Sequence, residues 1–260
     1  MSFLARDRGK LRGIANGVRR PKSRFGSGLE RLSHIRAFYY QKETQELVKL
    51  DRCELLAPPV FLRADYPVLV GLDFLTEVTD QVLPDHEPNE KFFRLLLAVV
   101  EEIRLSMRGG IESETAPPRN GSVGAAVAGN SAGQDGGNAV PGWLWRVLTY
   151  FSLWTLRLGG WMPPLNVCVQ SGVEVEPDQT VYFERSQPGL ISAEFRTPDS
   201  WAMAPQSRAI AAEMLKKPLA ELRGQAWERK TAEDLRRFLT QRLEAQLEGR
   251  LKTAALLAEL

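Results

Sequence analysis

Short hydrophobic stretches, separated by polar turns or by loops with glycine and proline, occupy the first part of the chain. They run from Leu11 to Val18, from His34 to Gln41 and from Leu47 to Leu56. The second stretch is rich in the aromatic residues that β-strands favour. Short strands with such connections are typical of a small barrel or sandwich. The pattern therefore predicts a small β domain over residues 1–57.

From residue 60 onward the hydrophobic positions recur at spacings of three and four, which is the helical period. They predict a helix over Tyr66 to Leu83 and a second one that Asn89 caps and that ends near Met107. The later elements that the pattern predicts are a helix from Trp143 to Met162, a hairpin around Val181, a helix from Pro205 to Lys216 and a long helix over residues 231–260. The prediction is an α+β protein with a helical domain over residues 58–260.

The most hydrophobic of these segments, Trp143 to Met162, contains Arg146 and Arg157. A membrane span needs about 20 predominantly apolar residues in succession. Since the arginines interrupt the run, we predict an amphipathic core helix and no membrane partner.

Residues 109–141 have a different composition, with eight glycines, four charged residues and no aromatic residue. Such a segment cannot bury enough apolar surface to offset the entropy lost on ordering. We therefore expect a disordered insertion in a surface loop, with no specific role.

The charge of the chain is unevenly distributed. The net charge is only +2 over 260 residues, but Met1 to Arg24 holds eight lysines or arginines and one acidic residue, Asp7. Local asymmetry of this kind indicates an anionic partner. The two cysteines, Cys53 and Cys168, are too few for a disulfide framework, so we expect a reducing, cytoplasmic environment.

Catalytic motifs are missing from the sequence. The two histidines, His34 and His86, have no nucleophile or metal-ligand partner at a useful spacing. Neither a phosphate-binding loop nor a dinucleotide fingerprint is present. We therefore expect a protein that is not an enzyme and needs no cofactor.

The segment RRPKSRF, from Arg19 to Phe25, is the strongest candidate for a binding loop. Pro21 restricts the backbone and glycines flank the segment, so the loop should project its cations. Cations beside an aromatic ring on a small barrel are typical of proteins that hold single-stranded nucleic acid. The alternative is a solvated loop that Phe25 anchors. The DNA-binding candidates are Arg6, Arg8, Lys10, Arg12, Arg19, Arg20, Lys22, Arg24 and Phe25.

Two long segments carry a resemblance to a known family. DRGKLRGIANGVRRPKSRFGSGLERLSHIRAFYY resembles the N-terminal OB-fold of the bacterial recombination mediator RecO, and LDFLTEVTDQVLPDHEPNEKFFRLLLAVVEEI resembles the first helices of its helical domain. The resemblance resumes at the tryptophan-rich helix and at the C-terminal helices. The glycine-rich insertion has no counterpart.

The resemblance implies a protein of the RecFOR recombination pathway that acts on DNA in the cytoplasm, at the nucleoid. Such proteins bind single- and double-stranded DNA and anneal complementary strands. With RecR, and in many bacteria RecF, they load RecA onto DNA coated by single-stranded-DNA-binding protein, whose acidic C-terminal tail they also bind. No nucleotide is required.

The chain departs from the family pattern at its start. The family places another strand ahead of the segment that begins here as SFLARDRGK. An OB barrel without its first strand would expose an edge. Either the true start lies upstream of Met1, which we expect, or this barrel closes differently.

A second departure concerns zinc. Many relatives carry four cysteine ligands after the helix that corresponds to Trp143 to Leu158. Here only Cys168 matches, and the other positions are Ser171, Ser192 and Phe195. Structural zinc needs four ligands, so we predict a degenerate module over 163–200 without zinc and a Cys168 whose pKa no neighbour lowers. The side chains that we expect to hold the module by packing are Trp161, Tyr182, Phe183 and Trp201.

The function we expect is DNA binding, strand annealing and RecA loading in recombinational repair. The first alternative is a scaffold that docks RecR or the coating protein and barely binds DNA. The second alternative is an RNA-binding OB protein, because charge alone does not distinguish the two nucleic acids.

Overall fold

A computed structural model describes residues 1–18, 24–42, 45–60, 64–114 and 139–260. The chain forms an N-terminal sheet, a body of helices and a second, smaller sheet set within that body. The elements are β1 Ser2–Ala5, β2 Gly9–Ala15, β3 Ile35–Tyr40, β4 Val48–Leu55, α1 Tyr66–Val82, α2 Glu90–Glu114, α3 Gly142–Leu158, β5 Val181–Phe183, β6 Leu190–Ile191, β7 Trp201–Met203, α4 Pro205–Lys216, α5 Glu233–Gln246 and α6 Lys252–Glu259. The predicted α+β class is confirmed.

The N-terminal sheet has the strand order β1-β2-β4-β3, with β2 and β4 parallel and the other neighbours antiparallel. Its inner face holds a small core of Phe25, Val48 and Leu50. The rings of Phe3 and Tyr39, on the two outermost strands, meet edge to face with centroids 5.9 Å apart. The sheet therefore curls around its own core, and its other face points outward.

Helix α3 lies at the centre of the helical body and contacts α1, α2, α4 and α5. The Phe151 ring meets Phe74 and Phe92 edge to face. Arg146 is also buried. Its charge is compensated there by the Glu102 carboxylate, which accepts hydrogen bonds from both Arg146 and Arg223. Among the described residues, every helix is too short or too polar to cross a membrane.

The predicted boundaries of α1 and α4 are confirmed to within one residue, whereas two other helix predictions are wrong. The helix expected over 231–260 is divided into α5 and α6, because the chain turns at Glu248, with φ of 51°. The Glu77 carboxylate then accepts hydrogen bonds from the first amides of α6. Helix α2 continues past Met107 to Glu114, and most of the predicted insertion, 115–138, lies outside the described residues.

The second sheet begins in the segment 163–200 and ends with β7, which follows that segment directly. Its strand order is β6-β5-β7. Phe183 is fully buried and its ring contacts Trp201, at a centroid distance of 6.0 Å, and Phe238 of α5, at 5.3 Å. Packing through Phe183 and Trp201 is therefore as predicted.

Two buried arginines also hold this segment, and the sequence did not point to them. Arg208 of α4 donates to the carbonyl oxygens of residues 165, 176, 177 and 179. Arg242 of α5 donates to those of residues 184, 185 and 187. Each guanidinium thus satisfies several carbonyl groups of a segment that has little regular structure of its own.

Candidate nucleic-acid interface

The β1–β2 hairpin brings four of the candidate residues to one end of the N-terminal sheet. Arg8 is exposed in the turn. Arg6 is also exposed, and its guanidinium lies over the Phe93 ring of α2, 5.5 Å from the centroid. The hairpin tip therefore carries cations where the sheet meets the helical body.

Lys10 and Arg12 share one side of β2, and both face Asp85 in the α1–α2 loop. The Lys10 ammonium lies 3.2 Å from one Asp85 oxygen, and Arg12 Nε lies 3.1 Å from the other. The hydrogen bond from Lys10 holds the pKa of Asp85 below its usual range. Lys10 is buried and Arg12 is exposed. Lys10 therefore contacts the helical body and is not part of an open cationic surface.

The basic loop is described only at its C-terminal end. Arg19, Arg20 and Lys22 lie outside the described residues. Arg24 is exposed, and its guanidinium lies 2.7 Å from the Asp51 carboxylate of β4. The Phe25 ring is 3 % exposed and belongs to the small core of the sheet. The ring therefore occupies the anchoring position that we weighed as the alternative to base stacking.

Phe38 and Tyr40 lie on the outward face of this sheet. The sequence indicated only that they belong to a strand. Phe38 and Tyr40 are two residues apart on β3, and Tyr40 is 69 % exposed. They lie beside basic residues of β4. Their alternate spacing on β3 was the signal in the sequence that could have placed both rings on one face.

The residues at the family's zinc positions do not fit a metal. The Cys168 sulfur accepts a hydrogen bond of 3.3 Å from the Ser192 amide. Over the described part of the chain, no group of three or more His, Cys, Asp or Glu side chains is placed to bind an ion. Serine hydroxyls and a phenyl ring do not replace thiolates around zinc.

The environment of Cys168 nevertheless changes its acidity. Burial raises the pKa of the thiol, but hydrogen bonds from Ser171 and Ser192 outweigh burial and lower the pKa to about 6. The expectation that no neighbour lowers this pKa is therefore wrong. Ser171 stands where the family has a zinc ligand, so the sequence indicated a lost ligand. It did not indicate that the Ser171 hydroxyl would stabilise the thiolate form of Cys168.

Comparison with known proteins supplies the class of the chain. The family described as "Recombination protein O N terminal" matches residues 1–59. The family described as "Recombination protein O C terminal" matches residues 141–255. The first match covers the N-terminal sheet, and the second runs from α3 to the first half of α6.

Individual relatives give the same result. The protein named "DNA repair protein RecO" from Koribacter versatilis (strain Ellin345) is 36% identical over 260 residues, which is 100% of this chain and 91% of the relative. The protein of the same name from Nocardioides sp. (strain ATCC BAA-499 / JS614) is 28% identical over 83% of this chain and 74% of its own length. The one from Anaeromyxobacter sp. (strain Fw109-5) is 25% identical over 74% of this chain and 61% of its own length.

These similarities define the chain first as a DNA repair protein. Within that class, the chain belongs to the RecO family.

Proposed function

We propose that the protein is a non-catalytic recombination mediator that binds single- and double-stranded DNA and anneals complementary strands. The observation that carries the proposal is the set of exposed arginines in and around the N-terminal sheet, namely Arg6, Arg8, Arg12 and Arg24. Arg12 and Arg24 pair with carboxylates at the surface. Exposed pairs of this kind contribute only about 0–1 kcal/mol, so a phosphate can compete for either guanidinium.

The strand order supports an OB-like interpretation of the N-terminal sheet. The parallel pairing of β2 with β4, between two antiparallel neighbours, is the arrangement of four consecutive strands in a Greek-key barrel of this type. OB-folds bind oligonucleotides across such a sheet and its loops. We therefore propose that the basic segment 19–24 contacts the DNA.

The mechanism we propose is electrostatic. Lysine and arginine side chains that neutralise phosphates release condensed counterions, and this release drives binding without sequence preference. Neutralising two strands at once also reduces the repulsion that keeps complementary strands apart. No bond is made or broken on the protein.

The partners follow from membership of the family and belong to this proposal. We propose that the protein binds RecR, works with RecF, and loads RecA onto DNA coated by single-stranded-DNA-binding protein. We further propose that the helical body receives the acidic C-terminal tail of that coating protein.

The test is the salt dependence of single-stranded DNA affinity for the wild-type protein and for one variant. The variant replaces with alanine Arg19, Arg20, Lys22 and Arg24. The log–log slope for single strands is roughly −0.7 per neutralised phosphate, so loss of four contacts should flatten the slope by up to about 3 units. Annealing of complementary oligomers should slow in parallel.

A matched control removes the same number of exposed cations, three arginines and one lysine, from the helical body. Its alanine substitutions are at Arg94, Arg157, Arg250 and Lys230. The control should leave the slope and the annealing rate unchanged. If the loop variant and the wild-type protein have equal slopes and affinities, the loop does not hold DNA and a scaffold for protein partners becomes the better account.

A further inference from the structure

The outward face of the β3–β4 hairpin has a regular pattern of aromatic and charged side chains. Three cross-strand pairs lie along it, and each joins a residue of β3 to a residue of β4. The pairs are Arg36 with Glu54, Phe38 with Arg52, and Tyr40 with Lys49.

The register explains why these side chains share one face. Phe38 lies opposite Arg52 and Tyr39 lies opposite Leu50, so Asp51 is an extra residue on β4. This bulge keeps Leu50 on the core face while Arg52 joins the outward face. The outward face therefore presents two aromatic and three basic side chains in register.

The core does not need the two rings. Its space is already filled from the other side by Phe25, Val48 and Leu50. The Tyr40 ring is 69 % exposed, and Phe38 is only half-buried. Exposed aromatic surface next to charged residues is characteristic of a binding site rather than of a folding requirement.

The geometry suits flat ligands in a row. The two rings are two residues apart on one face of a strand, which separates them by about 7 Å. A shallow depression of about 440 Å³ lies beside them, lined by residues 37–40 and by Asp51 and Arg52. The Arg52 guanidinium already lies 4.1 Å from the centroid of the Phe38 ring. This ring face therefore accepts a flat group, and a base that stacks there takes the place of the guanidinium, which leaves Arg52 free to contact a phosphate.

The charge of the face selects an anionic ligand. Arg36, Lys49 and Arg52 provide three positive charges. Glu54 lies 3.7 Å from both arginines, and Asp51, which lines the depression, pairs with Arg24. The exposed Lys42 lies two residues after the end of β3. An anionic polymer with planar apolar groups matches both the charges and the rings, and single-stranded nucleic acid has this chemistry.

We propose that Phe38 and Tyr40 form a stacking platform for unpaired DNA bases, with Arg52 and Lys49 placed to contact the flanking phosphates. This inference rests on the proposed function and adds a specific property to it. Bases of a duplex are already stacked inside the helix and cannot reach the rings. The platform therefore favours single strands, whereas the basic loop binds phosphates of either form.

The test compares binding of four probes: a thymidine oligomer, an abasic deoxyribose-phosphate oligomer of equal length, a duplex, and a uridine RNA oligomer. The variant carries Phe38→Leu and Tyr40→Leu, which keep apolar side chains but remove the rings. Stacking on one ring is worth roughly 5- to 150-fold in affinity. The variant should lose at least about 10-fold for the thymidine oligomer and nothing for the abasic oligomer or the duplex. Its salt slope should not change.

A control variant carries Tyr66→Leu and Phe195→Leu, which remove one exposed tyrosine and one exposed phenylalanine from the rest of the molecule. It should bind all four probes as the wild-type protein does. Tyr40→Phe, which keeps the ring, should retain the affinity for thymidine. If the double variant does not fold, the single variant Tyr40→Leu replaces it in the test. Tyr40 is 69 % exposed, so its substitution should not disturb the core.

Each other outcome contradicts a specific part of the account. Equal thymidine affinity for wild type and variant, with strong binding by both, overturns the platform and leaves the proposed function in place. If the wild-type protein binds no DNA at all, both the stacking platform and the proposed function are wrong. A loss of equal size on the abasic oligomer shows that the rings act through the shape of the sheet. Tighter, ring-dependent binding of the uridine oligomer reassigns the platform to RNA.

Discussion

At the scale of single residues, Cys168 is a side chain whose acidity changes strongly on folding. It is 1 % exposed and lies within hydrogen-bond reach of Ser171 and Ser192. Burial alone would keep the thiol protonated, but the serine donors stabilise the thiolate more than burial opposes it. The hydrogen bonds of this cluster therefore link the stability of the 163–200 segment to pH.

The link has a definite sign. The pKa of Cys168 is about 6 in the folded protein, against 9.0 for an ordinary thiol. The stabilisation is fully present above the unfolded pKa and is lost as the pH falls through the folded pKa. We predict that the difference in free energy of unfolding between wild type and Cys168→Ala grows steadily from pH 6 to pH 9.

Urea unfolding at a series of pH values measures this difference. Cys53→Ala is the matched control, because burial raises the pKa of that thiol, so its contribution to the free energy of unfolding should not grow as the pH rises. A difference for Cys168→Ala that stays constant from pH 6 to pH 9 would show that the thiol remains protonated in the fold.

At the scale of elements, the 163–200 segment is held in place mainly by α4 and α5. Its three-stranded sheet is small, with strands of two or three residues. Arg208 and Arg242 reach from the two helices to its backbone carbonyl groups, and both are nearly fully buried. Burial lowers the pKa of both guanidinium groups. The carbonyl dipoles compensate each of these buried charges.

We predict that Arg208→Met and Arg242→Met each lower the free energy of unfolding by roughly 3 to 5 kcal/mol, since several buried carbonyl groups lose their donor. Methionine keeps most of the apolar stem, so the lost hydrogen bonds dominate the change. Urea denaturation gives the free energy, and hydrogen exchange of the Val169 and Val175 amides, which bond within the segment, reports its local opening.

Arg185→Met is the control for these variants. Arg185 is exposed and makes one ion pair with Glu244, at 3.2 Å. Loss of such a pair costs about 1 kcal/mol or less. If all three variants lose the same small amount, packing of Phe183 and Trp201 alone holds the segment.

Helix boundaries could be predicted from the sequence pattern, whereas contacts between distant elements could not. Helices α1 and α4 were predicted nearly to the residue, because a helix repeats its apolar face over a few neighbouring positions. The contact between Arg208 and the carbonyl of Leu165 joins residues 43 positions apart and leaves no local pattern. The break before α6 was missed for the same reason, since the Glu77 carboxylate that accepts its first amides comes from α1.

The candidate nucleic-acid interface could likewise be predicted from the sequence only in part. Lys10 and Arg12 were candidate DNA-binding residues, but the sequence did not point to the carboxylate of Asp85 that faces them. The aromatic content of β3 predicted a strand, but the bulge at Asp51 decides which side chains of β4 lie beside the outward rings. Strand pairing and burial are properties of the folded chain, so a pattern along one segment cannot supply them.

At the scale of the whole molecule, β2 connects the N-terminal sheet to the helical body. Lys10 pairs with Asp80 and Asp85, and its carbonyl oxygen accepts a hydrogen bond of 2.9 Å from the His86 amide. Gly9 comes directly before Lys10, with φ of 72°, and packs against the backbone of Glu87. These contacts fix the position of the hairpin cations and of the outward face relative to the helices.

Gly9 is the position where this junction tolerates least change. A Cβ atom there would overlap the main-chain carbonyl of Glu87, and the positive φ would also be strained for alanine. We predict that Gly9→Ala separates the sheet from the α1–α2 loop. The expected cost is about 3 kcal/mol or more in the free energy of unfolding, because the backbone must move and the Lys10 contacts with it.

The variant Gly26→Ala distinguishes the steric overlap from the backbone strain as the cause of the lost stability. Gly26 also has a positive φ, of 51°, but a Cβ atom there would meet nothing within 4 Å. Its cost should be only the backbone strain, roughly 1 to 2 kcal/mol. Urea unfolding gives both costs, and hydrogen exchange of the His86 amide reports the junction directly. Faster His86 exchange in Gly9→Ala alone supports a junction that depends on close backbone contact. Equal costs for the two variants, with His86 exchange unchanged in both, would mean that the sheet keeps its position without that contact.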